Sequence, residues 1–439
     1  MLRTLDWRGQ RLDTAEVLSG IPRAEIGGMD VDKQVAALVE DVRSRGAEAL
    51  RAHAQKFDGA VPTEIREVPL SEAEVDEILS RDLKAAITEA IRRVRVGSEA
   101  QVPQERVVEV APGAEIVQRW LPVARAGVYV PGGKAVYPSS VVMNVVAAQA
   151  AGVESIALAS PPQQDCDGHV HPVIRATAAL LGVTEVYAMG GAGAIAAFAY
   201  GVEEIGLQPV SVITGPGNRY VAAAKRLVKG SVGIDSEAGP TEIVVIADDS
   251  APADLVAADV VSQAEHDELA QAVVITTSAE LAAEVTNRID ERVSATTHQA
   301  RVREALTGEQ SAVILVDSLE DAVVVSDLLA PEHLEVMTTD ADEWARKTRH
   351  AGAVFIGQHT PVSAGDYLAG SNHVLPTGGK ATFQAGLSAM TFLRPQQLVH
   401  YSSDALGTIG PMVEVFAEAE DLPAHAEAVR ARTSTRKDG

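Results

Sequence analysis

The spacing of apolar and polar positions changes character twice along the chain. Residues 1–25 are mixed and polar, so we expect short helices that form an N-terminal arm. Between residues 30 and 99, apolar residues recur at helical intervals, which predicts a helical region. From residue 124 onward, short apolar runs alternate with helical segments, a pattern typical of parallel βαβ units.

The alternating region contains two series of predicted strands. The first has strands at 127–130, 155–159, 185–188, 211–214 and 232–234, and the second at 242–247, 272–276, 312–316, 334–337 and 353–356. A Gly/Pro/Ser-rich passage over 357–386 follows, and long ordered loops of this kind are usually functional. A helical pattern of apolar residues returns over 405–419.

These elements predict an α/β protein with two Rossmann-like, doubly wound α/β domains and small helical terminal segments. One domain is expected over 126–239. The other is discontinuous and combines 26–125, the earlier helical region, with 240–385. Residues 1–25 form the arm, and 386–439 form a C-terminal helical segment.

Composition narrows the class of protein. With 439 residues, two or three domains are expected. Lys+Arg 37 against Asp+Glu 61 gives a net charge of −24, which disfavours nucleic acid and membrane surfaces as partners. A single cysteine, Cys166, excludes an internal disulfide and indicates a reducing compartment. Since no secretory signal is visible, we expect a soluble cytoplasmic protein.

Three glycine-rich turns follow predicted strands of the 126–239 domain. Residues 191–196 (GAGAIA) fit the G-x-G-x-x-A dinucleotide fingerprint, but the next strand ends without an acidic residue for the ribose. The turns at 130–134 and 214–218 also lie at strand ends, where open α/β sheets bind ligands. Nucleotide binding and simple tight packing both remain open.

Four residues stand out as candidate catalytic or metal-binding groups. Gln263 and His266 lie three apart near the end of a predicted helix, which resembles the Glu-x-x-His arrangement of helical metal sites. A solvated helix end is the alternative. Glu332 and His333 are adjacent, a pair that can divide acid and base work.

The neighbourhood of Cys166 is less promising. Cys166, His169 and His171 offer only three ligands in a polar loop, and nothing near Cys166 in sequence lowers its pKa. Two alternative functions are a thiol-dependent aldehyde dehydrogenase and a two-lobed small-molecule binding protein without catalysis.

Six longer motifs occur in an order that resembles the histidinol dehydrogenase family. They are residues 127–133 (GVYVPGG), 215–218 (GPGN), 238–242 (AGPTE), 262–266 (SQAEH), 331–334 (PEHL) and the passage 363–377. The resemblance covers about 25 to 425. It implies a zinc-dependent, NAD-linked oxidation of L-histidinol through L-histidinal to L-histidine, the final step of histidine biosynthesis.

The resemblance also implies a role for each matching residue. The zinc ligands, for one ion per subunit, would be Gln263, His266, Asp366 and His425, which also contact substrate. Glu332 and His333 would be the acid/base pair, with His333, Thr241 and Glu420 as substrate contacts and Tyr129 and Asn218 as NAD contacts. At Gly193 many relatives have a cofactor-contacting Gln, and at Ala147 many have Pro.

The family is a homodimer, so the C-terminal segment is expected to complete the active site of the partner. His425 and Glu420 would then act in trans. The same resemblance implies that Glu332 and His333 act in trans relative to Gln263 and His266, and that NAD binds to the 126–239 domain.

Overall fold

The computed structural model describes residues 2–23, 29–132, 135–237 and 239–433. Gly133 and Ala238, which belong to the quoted motifs, lie outside these ranges. The chain forms two compact units: Met1–Gln101 with Ala124–Phe392, and Val102–Val123 with Leu393–Gly439. None of the described helices has the length and apolarity needed to cross a membrane.

The strands, in chain order, are β1 (Arg3–Asp6), β2 (Arg106–Ala111), β3 (Ala114–Pro122), β4 (Arg125–Tyr129), β5 (Ser155–Ser160), β6 (Glu185–Ala188), β7 (Val212–Thr214), β8 (Gly233–Ile234), β9 (Glu242–Ala247), β10 (Gln271–Thr276), β11 (Ala312–Leu315), β12 (His333–Met337), β13 (Ala353–Ile356) and β14 (Leu393–Tyr401). The helices are α1 (Ala15–Ser19), α2 (Met29–Arg45), α3 (Ala47–His53), α4 (Glu72–Ile78), α5 (Arg81–Glu99), α6 (Pro138–Ala150), α7 (Pro172–Leu180), α8 (Gly191–Tyr200), α9 (Arg219–Val228), α10 (Ala253–Ala264), α11 (Ala279–Ala295), α12 (Gln299–Thr307), α13 (Leu319–Leu329), α14 (Ala341–Lys347), α15 (Val362–Tyr367), α16 (Ser403–Ala419) and α17 (Pro423–Thr433).

The first unit contains both predicted parallel sheets. The smaller one has the order β6-β5-β4-β7-β8, and the larger one β1-β11-β10-β9-β12-β13. Strands β9 and β10 are buried along their whole length, which explains their continuous apolar sequences. In the smaller sheet the strand order reverses beside β4, between β4 and β7, and this reversal marks the usual ligand crevice. The α/β fold class is confirmed.

The N-terminal part of the chain differs from its prediction. Residues Arg3–Asp6 are a strand rather than a helix, because β1 pairs in parallel with β11 at the sheet edge. The helical region does not pack on the larger sheet as expected. Apolar residues of α2 and α3 join α8 and α9 in one core on the smaller sheet, and α5 packs on α6. Burial of these apolar faces, which local periodicity cannot assign to a partner, decides the arrangement.

The second unit corrects the prediction of a purely helical C-terminal segment. Strand β14 pairs antiparallel with β3, which pairs with β2, and helices α16 and α17 pack together. Two strands of this sheet come from residues that the sequence analysis assigned to the discontinuous domain. Because β3 and β14 are far apart in sequence, no local pattern predicts their pairing.

Candidate active site

Glu332 and His333 stand where the chain leaves helix α13 and enters strand β12. Ala330 adopts the left-handed conformation (φ 47°) that ends α13. His333 pairs with Ile243 of β9, and the side chains of Glu332 and His333 are buried. The pair therefore lies at the amino ends of two neighbouring central strands.

Glu332 is a buried carboxyl group held by two donors. Its Oε2 accepts hydrogen bonds from Thr241 Oγ1 (2.6 Å) and from the backbone N–H of Glu242 (3.0 Å). Burial raises the pKa of Glu332 to about 8, although both hydrogen bonds act to lower it. A carboxyl group with this pKa exchanges protons near neutral pH, as a general base or acid must.

The imidazole of His333 is oriented for proton transfer. Its Nδ1 lies 3.0 Å from the carbonyl oxygen of Glu242. Because a carbonyl only accepts, Nδ1 carries the proton and Nε2 is left with a lone pair. Nε2 is buried and has no hydrogen-bond partner among the described residues. Burial lowers the pKa of His333, which keeps the ring neutral and able to accept a proton.

Gln263 joins this pair from helix α10. It is buried, and its Nε2 donates to Thr241 Oγ1 and lies 3.4 Å from His333 Nδ1. Since the amide nitrogen faces these groups, its carbonyl oxygen is the atom available to a further ligand. Gln263 and His333 meet within one chain, so the expectation that Glu332 and His333 act in trans relative to Gln263 and His266 is wrong.

Glu242 is a site residue that the sequence analysis missed. Its carboxyl group is buried and accepts from the backbone N–H groups of Gly378 (2.8 Å) and Glu332 (3.3 Å). Burial raises the pKa of Glu242 to about 7, and the nearby Glu332 carboxyl adds to the rise. The only signal in the sequence was an acidic residue at the start of an apolar strand.

His266 follows Gln263 by three residues, and Asp366 lies close enough for its charge to act on His266. Desolvation lowers the pKa of His266, whereas the negative charge of Asp366 opposes that shift. The backbone oxygen of Asp366 lies 2.9 Å from His373 Nδ1, which ties helix α15 to the following passage. The amide of Gln263, the imidazole of His266 and the carboxylate of Asp366 thus lie at one end of the site.

This mixed set is the candidate for the implied zinc site. No group of three or more His, Cys, Asp and Glu side chains suited to a metal ion occurs within the described ranges. Nitrogen and oxygen donors from Gln263, His266 and Asp366 nevertheless suit zinc, which accepts both. These three residues would need one further ligand to complete a zinc site.

Glu420 and His425 belong to the second unit. Glu420 lies at the end of α16, His425 lies in α17, and both are exposed. Their roles as substrate contact and fourth zinc ligand remain predictions.

The carboxyl edge of the smaller sheet carries the predicted NAD contacts. Tyr129 ends β4, and its hydroxyl accepts from the backbone N–H of Gly191 (3.1 Å). After β7, Gly215 has φ 120°, and a Cβ there would lie 1.9 Å from the backbone oxygen of Tyr129. Asn218 caps helix α9 by accepting from the N–H groups of Tyr220 and Val221. Only glycine at position 215 allows the backbone of this turn to approach that of Tyr129 so closely.

A buried ion pair holds the backbone of the Gly215 turn in place. Lys225 Nζ donates to the carbonyl oxygen of Gly215 (2.6 Å) and pairs with Asp235. Asp235 Oδ2 in turn accepts from the N–H of Gly215 (2.8 Å). Both polar groups of one glycine are therefore held by the same two side chains.

Gly193 serves packing in this chain. A Cβ at Gly193 would lie 3.0 Å from His53 Nδ1 and 3.4 Å from Leu50 of helix α3. The glycine lets α8 approach α3 closely. This agrees with the interpretation that the glycines of residues 191–196 serve tight packing.

Within the described range 135–237, the loop around Cys166 contains no metal cluster. His169 Nδ1 lies 2.9 Å from Glu67, and His171 caps helix α7 by accepting from the N–H of Val173. Burial raises the pKa of the Cys166 thiol, and neighbouring aspartates add to the rise. The thiolate is disfavoured, which argues against thiol catalysis.

Two parallel α/β sheets with a buried Glu–His pair define the chain as an α/β enzyme. The histidinol dehydrogenase family model matches residues 22–433. Curated histidinol dehydrogenases from Leifsonia xyli subsp. xyli and Thermobifida fusca are 54% identical over 437 residues and 52% identical over 433. These alignments cover 99% and 98% of this chain and 100% and 98% of the relatives.

A solved structure agrees with these relatives. The crystal structure of histidinol dehydrogenase from Elizabethkingia anophelis superposes with a TM-score of 0.91 at 32% identity, covering 99% of this chain and 98% of that one. The chain belongs to the histidinol dehydrogenase family, and it is an oxidoreductase.

Proposed function

We propose that the protein catalyses the zinc-dependent, NAD-linked oxidation of L-histidinol through L-histidinal to L-histidine, the last step of histidine biosynthesis, in the cytoplasm. The observation that carries this proposal is the buried pair at the start of β12. His333 Nε2 is a proton acceptor without a partner among the described residues, and Glu332 titrates close to neutral pH.

The chain divides the proton transfers between these two residues. His333 Nε2 accepts the hydroxyl proton of L-histidinol as the carbinol carbon loses a hydride. Glu332, as the carboxylate, accepts a proton from the water that adds to the aldehyde, while the protonated His333 donates its proton to the aldehyde oxygen and becomes neutral again. His333 then accepts a hydroxyl proton of the hydrate in the second oxidation. With ionisation of the carboxylic acid product, one L-histidinol and one water yield L-histidine, two hydrides and three protons.

Two bound groups would complete this site. NAD supplies the hydride acceptor, and zinc supplies a positive charge that orients the amine and imidazole of the substrate. Gln263, His266 and Asp366 would hold the zinc, with His425 of a second copy as fourth ligand. Thr241, together with Glu420 of that second copy, would contact the substrate. Tyr129 and Asn218 would contact the NAD.

The surface of the second unit supports a homodimer with shared active sites. Helix α16 exposes Met412, Val415 and Phe416 at 57%, 67% and 72%, and β14 exposes Val399 at 65%. Large apolar side chains gathered on a small unit indicate a surface that a partner covers. A second copy that brings His425 and Glu420 to the site would cover it.

The test is spectroscopic detection of NADH after L-histidinol and NAD are added to the purified protein. A chelator should abolish turnover and zinc should restore it; full activity in a verified metal-free sample would exclude the zinc role. Glu332→Gln should slow oxidation of L-histidinal more than oxidation of L-histidinol. Equal losses in the two reactions would refute the division of labour between Glu332 and His333.

A further inference from the structure

At the carboxyl edge of the smaller sheet, the ends of β5 and β6 supply no acidic residue, and Asp235 after β8 is already paired with Lys225. Strand β5 runs into Ser160, Pro161 and Pro162, and β6 into Met189 and Gly190. In dinucleotide-binding α/β folds, a carboxylate near this edge accepts hydrogen bonds from the adenosine ribose. A carboxylate at this position would therefore have to come from another part of the chain.

Asp58 reaches this edge from a distant part of the sequence. It ends a single π-helical turn, Ala54–Asp58, that directly follows helix α3. A Cβ placed on Gly190 would lie 3.3 Å from Asp58 Oδ2 and 3.0 Å from Pro161. Asp58 Oδ2 thus lies at the ends of β5 and β6, where the strands themselves supply no acid.

The backbone fixes Asp58 in this position. Gly59 ends the turn in the left-handed conformation (φ 66°), and Gln164 Nε2 donates to the carbonyl oxygen of Asp58 (3.3 Å). Gln164 belongs to the loop that follows β5. Isolated π-helical turns occur often at functional sites.

The Asp58 carboxylate has no donor among the described residues, although it is partly buried. Burial alone raises its pKa to about 6, because no hydrogen bond or positive charge offsets the loss of solvent. Tyr129, whose hydroxyl accepts from Gly191, lies near enough for the negative charge of Asp58 to contribute to the raised pKa of its phenol. A ligand that brings hydroxyl donors would satisfy this carboxylate.

We propose that Asp58 binds the adenosine ribose of NAD through its 2′- and 3′-hydroxyls and excludes the 2′-phosphate of NADP. The inference rests on the proposed NAD-linked function. Vicinal hydroxyls donate two hydrogen bonds to one carboxylate, whereas a phosphate at the 2′ position brings negative charge against it. Asp58 is then the residue that sets cofactor specificity, although it lies outside the glycine-rich turns.

Calorimetric binding of NAD and NADP to the full-length protein tests this assignment. In Asp58→Ala the Kd for NAD should rise about tenfold, the usual cost of one charged hydrogen bond, and the preference for NAD over NADP should fall at least as much. Asp58→Asn should lose the preference while keeping the shape of the side chain. Glu64→Gln is the matched control, because it removes one exposed carboxylate from the same region.

Unchanged preference in folded Asp58 variants would overturn the assignment. Should the variants not fold, the unmodified protein decides with 2′-deoxy-NAD. Binding about tenfold weaker than NAD supports the assignment, and equal binding overturns it. A protein that binds no NAD at all would overturn the proposed function as well, so the two failures are distinguishable.

Discussion

The hydroxyl of Thr241 lies 2.6 Å from Glu332 Oε2 and also accepts a hydrogen bond from Gln263. One hydroxyl group therefore links the amide that would hold zinc to the carboxyl group that would act as base. The link orients the Gln263 amide and stabilises the ionised form of Glu332, so a change at Thr241 should affect both.

Replacing Thr241 by Val should slow turnover at neutral pH about tenfold, because one hydrogen bond to a carboxylate is lost. Burial already raises the pKa of Glu332 to about 8, and loss of the Thr241 bond raises it further. Since the carboxylate is the active form, the rising limb of the pH–rate profile should move to higher pH. Thr241→Ser is the control and should retain the profile; an unmoved limb in Thr241→Val would contradict the link.

A buried pair of carboxyl groups should make stability depend on pH. Glu335 of β12 and Asp259 of α10 contact each other in the core, and burial, with Asp259, raises the pKa of Glu335 to about 9. Unfolded Glu titrates at about 4.3, so the folded state binds the extra proton between these values. The contribution of Glu335 to stability is therefore fully present below about pH 4 and is lost progressively as pH rises toward 9.

The corresponding variant is Glu335→Gln, which cannot ionise. At about pH 8 its free energy of unfolding should exceed that of the unmodified protein by about 1 kcal/mol or more, and denaturant unfolding across pH measures the difference. Glu304→Gln, at an exposed helical position, should follow the unmodified protein. Equal pH dependence with and without Glu335 would contradict the account.

Gly215 should tolerate no side chain. Gly215→Ala puts a Cβ 1.9 Å from the backbone oxygen of Tyr129, so the turn has to shift. We expect a loss of about 2 kcal/mol in stability and weaker NAD binding, measured by thermal unfolding and calorimetry. Gly230→Ala is the control, because no atom lies within 4 Å of its Cβ. Similar behaviour of the two variants would contradict the role of the turn.

Shared active sites predict complementation between two inactive variants. In a heterodimer of His266→Ala and His425→Ala, both lesions fall in one site and the other site is intact. Random mixing should therefore restore about a quarter of the unmodified activity, because half of the dimers are heterodimers with one working site each. The absence of any recovery after verified subunit exchange would argue that His425 acts within its own chain.

Periodicity and strand-end chemistry predicted much of the first unit. Gln263 and Val256, seven residues apart on helix α10, are both buried, which agrees with helical spacing. Glu332 and His333 are adjacent in sequence, so their proximity needed no tertiary information. Both parallel sheets followed from alternating apolar runs.

What the sequence left unpredicted depends on contacts between distant segments. Asp58 reaches the sheet edge only because α3 packs on the smaller sheet, and β14 becomes a strand by pairing with β3. Glu242 begins an apolar strand and acquires its raised pKa from burial beside Glu332. None of these effects has a signature in local spacing.

Counting the NADH formed per L-histidinol consumed by the zinc-loaded protein is the most direct test of the proposed function. The account predicts two NADH for each L-histidinol, with L-histidine as the product. One NADH with accumulation of L-histidinal, or no NADH at all, would contradict it.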